Sequence, residues 1–297
     1  MLTHQTGAIV TVFRGHSHVM NRTIANLVAS VPLILLMGMP ATATERPIVA
    51  SIHPLALLLD ELVGDQAEVE VLIDTSQSSH HFSLRPSDMR ILRSAQVVFW
   101  LGPDLEAPLL SAFDAYPNIP HTALLTGGVA DPHVWLDPSK AQTLMRTMSA
   151  ILTADGLRDQ FIDIDQASSR LQQLDTELTE ALEPYRQVPF VTLHNAWSHF
   201  AHHYGLNMVG ALPGDGEHDV GVRAVSELRA TIKETAARCM IIEPVGEQRL
   251  ATTVSRDLDI QVVELDPIGA EIPRGKGAYA VMMRNIVARL TACLARP

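Results

Sequence analysis

The stretch PIVASIHPLALLLDELV, residues 47–63, predicts a β-strand followed at once by an apolar helix. We assign the strand to Pro47–His53 and the helix to Leu55–Val63. A strand that is buried on both faces has a continuous apolar sequence, because helices cover both sides of its sheet. A strand followed by a helix is the repeating unit of parallel sheets, so this stretch predicts an α/β protein.

The same alternation of strands and helices continues through two blocks of the chain. In the first block the predicted elements are strands Val69–Ile73, Val97–Leu101 and His121–Leu125 and helix Pro86–Ser94. In the second block they are strands Phe190–Leu193, Met208–Leu212, Met240–Glu243 and Gln261–Leu265 and helices Ala196–Tyr204, Val222–Ala237, Glu247–Leu258 and Tyr279–Leu294. This alternation favours two parallel sheets.

Between the blocks, the sequence from Leu157 to Tyr185 predicts one long amphipathic helix. Leucines recur at helical spacing at its centre, and no Gly or Pro interrupts it before Pro184. Such a helix would be roughly 40 Å long, enough to connect two lobes rigidly. The predicted organisation is a segment at 1–43, a first α/β lobe at 44–156, a linking helix at 157–186 and a second α/β lobe at 187–297.

The N-terminal segment, residues 1–43, has the features of a cleavable secretory signal peptide. It contains Arg14, Arg22 and no acidic residue, then an apolar run from Leu27 to Met39, then Ala41-Thr42-Ala43. A basic start, a short apolar run and an A-x-A site are typical of signal peptides, with a start at Met20 left open. The alternative is an N-terminal membrane anchor, for which the apolar run is short. We therefore predict a periplasmic protein.

Charge and cysteine content restrict the function further. The formal net charge is −11, and it becomes about −13 without the two arginines of the N-terminal segment. This balance argues against nucleic acid or an anionic membrane surface as a partner. Cys239 and Cys293 are the only cysteines, and in an oxidising compartment they are a candidate disulfide, with two buried free thiols as the alternative.

Metal-binding side chains follow the predicted strands. In open α/β sheets, ligands bind beyond the carboxyl ends of the strands. The imidazoles and carboxylates at these positions are His53, His80, His81, His133, His194, Glu243 and Asp266. Two or three imidazoles with one carboxylate suit zinc, whereas oxygen donors would favour manganese. The sequence therefore predicts a metal site assembled by the fold.

Signatures of enzymes are weak in this sequence. It contains no G-x-S-x-G, phosphate-binding glycine loop or H-E-x-x-H pattern. We predict no catalytic residue and no enzyme activity. A periplasmic zinc hydrolase with Glu243 as general base stays open as an alternative.

Several motifs resemble one family. They are residues 51–55 (SIHPL), 80–88 (HHFSLRPSD), 100–103 (WLGP), 131–136 (DPHVWL), 243–244 (EP) and 265–269 (LDPIG). Together, and in this order, they resemble the ZnuA-like zinc-binding receptors of ABC importers. The resemblance covers essentially the whole chain after residue 43.

The resemblance implies two Rossmann-like lobes with parallel sheets joined by one long rigid helix, with one Zn²⁺ ion bound in the cleft as cargo. By motif position, the implied ligands are His80, His133, His194 and Asp266, and Asp266 is the position at which water or another group can serve instead. It also implies a disulfide between Cys239 and Cys293. The implied partner is the membrane permease of a zinc ABC importer. We expect a monomer, and a periplasmic zinc chaperone is left open as a second partner.

The sequence departs from many zinc receptors in one respect. They carry a long His- and Asp-rich loop before the second histidine ligand, whereas only residues 126–131 lie in the loop here. Residues 214–219, which include Glu217, His218 and Asp219, either substitute in part for that loop or form a plain loop at the cleft edge.

Rival functions are a manganese or ferrous iron receptor of the same fold and a surface adhesin. Manganese receptors tend to carry a carboxylate at the position of His194, so the histidine favours zinc.

Overall fold

The computed structural model describes residues 11, 46–154, 163–213, 220–244 and 247–295. In these ranges the strands form two four-stranded sheets, and every strand pair is parallel. The strands of the first sheet are β1 (Ile48–Ala50), β2 (Val69–Val71), β3 (Val97–Trp100) and β4 (His121–Ala123). Those of the second are β5 (Phe190–Thr192), β6 (Met208–Ala211), β7 (Cys239–Ile242) and β8 (Gln261–Glu264).

The strand order places the most apolar strands at the centre of each sheet. The order is β2-β1-β3-β4 in the first sheet and β6-β5-β7-β8 in the second. The inner strands β1, β3, β5 and β7 are fully buried, as their apolar sequences predict. The first strand of each block is therefore central, and the loops that follow the strands gather at one edge of each sheet.

The described helices cover the sheets. They are α1 (His53–Val63), α2 (Pro86–Ser94), α3 (Ala107–Ala115), α4 (Pro138–Ala154), α5 (Ile164–Leu182), α6 (Ser198–Tyr204), α7 (Val222–Thr235), α8 (Gln248–Ser255) and α9 (Ala278–Leu294). Helices α3 and α4 were not predicted. None of the described helices combines the length and the apolar character that crossing a membrane requires.

The long helix between the blocks is α5, and it begins later than the sequence suggests. The predicted start at residue 157 differs from the observed start at Ile164, where the Asp163 side chain caps the helix by accepting a bond from Gln166 N at 2.9 Å. Its 19 residues span roughly 28 Å, which is shorter than expected. The prediction of two parallel α/β lobes joined by a long helix is confirmed.

A continuous apolar core and several hydrogen bonds, two of them made by Trp135, join the halves. Trp135, fully buried, donates its indole N–H to Pro267 O at 2.8 Å and accepts at its own carbonyl from Tyr279 Oη at 2.7 Å. The apolar cluster that contains Trp135 also contains Tyr279. In the second half, a disulfide links Cys239 at the start of β7 to Cys293 in the last turn of α9.

Candidate metal centre

The fold brings three of the predicted ligands together. One nitrogen each of His80, His133 and His194 lies within 4.8 Å of the other two. Nε2 of His80 and Nε2 of His133 are 3.2 Å apart. His133 and His194 are buried and His80 is half-buried. The centre therefore presents three converging imidazoles with limited exposure to solvent.

Each imidazole is held by a different local structure. His80 lies in the loop between β2 and α2, and the end of this loop is fixed where Arg85 N donates to the Asp88 carboxylate at 2.7 Å. His133 directly precedes a 3₁₀ turn at Val134–Leu136. His194 follows the central strand β5. The first half of the chain thus supplies two imidazoles and the second half one.

Two carboxylates orient two of the rings. His133 Nδ1 lies 2.7 Å from Asp131 Oδ1, and His194 Nδ1 lies 2.8 Å from Glu243 Oε1. A carboxylate acceptor at Nδ1 keeps the proton on that nitrogen, so the lone pair is on Nε2. Burial lowers the pKa of His133, although the Asp131 carboxylate opposes this shift. The ring of His133 is therefore favoured in its neutral, metal-binding form.

Sequence reasoning missed these two orienting roles. The sequence analysis gives Asp131 no function of its own, and it treats Glu243 as a donor at a strand end or as the base of a hydrolase, not as a partner of His194. The spacing of Asp131 and His133 was a usable signal, since a carboxylate two residues away can reach an imidazole. The pairing of β5 with β7, which places Glu243 beside His194, needed the sheet topology.

Asp266, the predicted fourth ligand, lines the same cavity as the three histidines. It is not a member of the group whose donor atoms lie within 4.8 Å of one another. Its Oδ1 accepts from Ile268 N and Gly269 N at 2.9 Å each, and its Oδ2 accepts from Ala270 N at 2.6 Å. The carboxylate thus shapes the turn that forms one wall of the cavity.

The other candidate histidines, His53 and His81, lie outside the group of three, and so does His199. His53 begins α1 instead of ending the first strand, and its Nε2 is 3.3 Å from Ile272 O. Burial lowers the pKa of His53. His81 is exposed, and His199 Nε2 is 2.9 Å from Asp131 O. The loop 214–219 lies outside the described residues.

The cavity beside the three imidazoles has a volume of about 90 Å³. Its walls come from both halves of the chain, and they combine apolar side chains such as Ile52, Ile73 and Trp135 with the carboxylates of Glu243 and Asp266. A space of this size accommodates an ion with a few water molecules. The centre therefore has room for a small cation.

Comparison with known proteins gives a consistent result. Residues 48–293 match the family described as ZnuA, zinc-uptake complex component A, periplasmic. A high-affinity zinc uptake system protein ZnuA from Haemophilus ducreyi is 24% identical over 88% of this chain and 97% of its own length. A protein of the same name from Paracoccus denitrificans is 27% identical over 86% of this chain and 94% of its own length.

The fold also matches solved structures. A crystal structure of a 138–173 deletion mutant of ZnuA with zinc bound superposes with a TM-score of 0.73 at 23% identity, covering 84% of this chain and 99% of that one. Since the family match extends over residues 48–293 of a 297-residue sequence, the chain belongs to the ZnuA family of periplasmic zinc-uptake components.

Proposed function

We propose that this chain is a periplasmic receptor that binds Zn²⁺ with high affinity and delivers it to the membrane permease of an ABC importer. The observation that carries the proposal is the convergence of His80, His133 and His194, whose donor atoms lie within 4.8 Å of one another. The family, and the relatives named for high-affinity zinc uptake, support the same function. A transport receptor needs no catalytic residue, and the family is one of uptake components.

The donor chemistry supports zinc as the cargo. Two nitrogens bound to one tetrahedral zinc at about 2.05 Å are roughly 3.3 Å apart. The Nε2 atoms of His80 and His133 are 3.2 Å apart, so they need little movement to share an ion. A site with three nitrogen donors favours zinc over manganese, which prefers oxygen ligands.

The fourth donor in this proposal is Asp266, with a water molecule as the alternative. An ionised carboxylate has about four acceptor positions. Three of them are used by Ile268 N, Gly269 N and Ala270 N, which leaves one for a metal ion. With His80 and His133 from the first half and His194 and Asp266 from the second, a bound ion would bridge the two halves.

The proposal extends to processing and partners. The segment 1–43 is removed as a signal peptide during export, and the mature chain acts as a monomer. Its lobes are residues 44–156 and 187–297, linked through 157–186. The negative charge of the mature chain attracts cations. Loading by a periplasmic zinc chaperone is left as an additional route.

Competition titration of metal-free protein purified from the periplasm tests the function. We expect one Zn²⁺ per chain, much weaker binding of Mn²⁺, and loss of affinity by a factor of 100 or more in His133→Ala. Equal affinity for the two ions would favour the manganese receptor. Wild-type protein that binds no zinc, or that turns over a chromogenic ester in its zinc-loaded form, would overturn the proposal.

A further inference from the structure

We propose that Asp131 is a positioning residue that sets the orientation of His133 and ties it to helix α6 of the second half. It would thereby make capture of zinc depend on contact between the two halves. The inference rests on the proposed zinc-binding role of His133. Asp131 is itself buried, with 8% of its surface exposed.

The first part of the argument concerns the tautomer of His133. Asp131 Oδ1 accepts two bonds from the same residue, one from His133 N at 2.9 Å and one from His133 Nδ1 at 2.7 Å. Backbone and ring are thus fixed by one oxygen atom. A neutral imidazole has one N–H, and the carboxylate holds it on Nδ1. The lone pair of Nε2 then points toward His80, which is 3.2 Å away.

The second part concerns two further contacts of Asp131, both with residues of α6. Oδ2 is hydrogen bonded to Ser198 Oγ, and Ser198 is the first residue of the helix. The backbone carbonyl of Asp131 is 2.9 Å from His199 Nε2. Asp131 therefore contacts a ligand from the first half through one oxygen and a helix of the second half through the other.

The third part is a comparison with a carboxylate nearby. Asp104 lines the groove on the other side of the three histidines, together with His80, His81 and Asp131. Its Oδ2 accepts from Gly128 N at 2.8 Å and Val129 N at 2.9 Å, so it holds the loop before His133. Among the described residues, no hydrogen bond joins Asp104 to the His133 ring. Asp104 thus provides the same charge in the same groove without the positioning contact.

Two measurements on the full-length protein test the inference. We expect Asp131→Ala to weaken zinc binding by about 10- to 100-fold, the usual effect of removing an outer-sphere partner. Asp131→Asn should recover most of this loss, because its amide oxygen can still accept from His133 N and Nδ1. Ser198→Ala should give a smaller loss, since only the tie to α6 is removed. Asp104→Ala is the matched comparison: it loosens the loop before His133 but removes no bond to the ring, so it should weaken zinc binding clearly less than Asp131→Ala does.

A spectroscopic measurement separates positioning from general damage to the fold. In metal-free protein, the ¹⁵N shifts of the His133 ring should report the Nδ1–H tautomer in wild type and Asp104→Ala and a tautomer mixture in Asp131→Ala. Equal zinc affinities of Asp131→Ala and Asp104→Ala, or a loss of affinity with an unchanged His133 tautomer, would overturn the inference. If Asp131→Ala fails to fold, the same comparison is made with Asp131→Asn and Ser198→Ala. The proposed function fails on a different result, wild-type protein that binds no zinc, whereas equal zinc binding by wild type and His133→Ala would overturn the role of His133 on which this inference rests.

Discussion

The carboxylate of Asp60 in α1 and the guanidinium of Arg274, which lies between β8 and α9, form a two-pronged ion pair across 214 residues of sequence. Arg274 Nε donates to Oδ2 at 2.9 Å, and a terminal guanidinium nitrogen donates to Oδ1 at 2.5 Å. Gly275 N adds a bond to Asp60 Oδ2 at 3.0 Å. The pair thus links the segment between β8 and α9, which begins at the wall of the cavity, to α1 of the first half.

Removal of Arg274 should leave a buried carboxylate without its main partner. We expect Arg274→Ala to lower the free energy of unfolding by about 3 kcal/mol in urea denaturation, because an uncompensated buried charge is costly. The control is the exposed pair of Arg284 and Glu177, whose side chains are 49% and 50% exposed. Arg284→Ala should cost less than about 1 kcal/mol. Similar losses from the two substitutions would contradict a structural role for the Asp60 pair.

Two adjacent histidines provide a matched test of the metal site. His80 belongs to the group of three, whereas its neighbour His81 is exposed and does not. We expect His80→Ala to weaken zinc binding by at least 100-fold and His81→Ala to change it by less than about threefold, since only the first removes a donor atom. Isothermal titration with a competing chelator measures both. A larger effect at His81 would show that the assignment of this loop is wrong.

The buried carboxyl of Glu106 should make stability depend on pH. Burial raises the pKa of Glu106 from 4.5 to about 7, although bonds from Ser51 Oγ and Gly102 N oppose this shift. The folded state therefore holds the proton more tightly than the unfolded state. The stabilisation that this proton gives to the folded state is present below pH 4.5 and is lost as the pH rises to about 7. It amounts to about 3 kcal/mol in total.

Glu106→Gln should remove this dependence. Chemical denaturation of metal-free protein measures this. The free energy of unfolding of Glu106→Gln minus that of wild type should rise between pH 5 and pH 8. Glu227→Gln, on the exposed face of α7, is the charge control and should follow wild type at every pH. Parallel curves for wild type and Glu106→Gln would show that Glu106 ionises at its ordinary pKa.

The disulfide between Cys239 and Cys293 should stabilise the second half. The bond closes a loop across 54 residues, and the chain-entropy relation gives about 4 kcal/mol for such a loop. Urea denaturation with and without reductant should therefore show a large loss of stability in wild type. A Cys239→Ser, Cys293→Ser double variant should have the stability of the reduced protein and no response to reductant. A wild-type curve that reductant leaves unchanged would contradict this expectation.

Local sequence signals predicted most of the fold but not all of it. Helix α2 has the predicted bounds, because Pro86 suits the first turn and Asp88 caps it. The first strand ends at Ala50, earlier than predicted, because the chain enters α1 at His53. Ser51 N still bonds to Phe99 O between the two elements. An apolar run alone does not show where the sheet ladder stops.

Other features depended on tertiary structure or on a signal that was overlooked. Helix α4 begins directly after Asp137, whose carboxylate accepts from Ser139 N and Lys140 N, and this Asp-Pro-Ser start was a usable sign of a helix. The contacts of Asp131 with Ser198 and of Glu243 with His194 join residues 67 and 49 positions apart. The sequence could indicate which strand ends carry donors, but not which carboxylate orients which ring.

The two sheets have the same strand order, with each strand of the second numbered four higher than its counterpart in the first. His53 and His194 both follow the first strand of their sheets, and His133 and Asp266 both follow the fourth. At equivalent positions, the first half therefore has His53, which is outside the group of three, where the second half has His194. Likewise the first half has His133 where the second half has Asp266. A scaffold with this internal pseudo-symmetry can change its donor set by a single replacement at a strand end. The choice of cargo can accordingly be altered at these positions while the architecture that presents the donors stays the same.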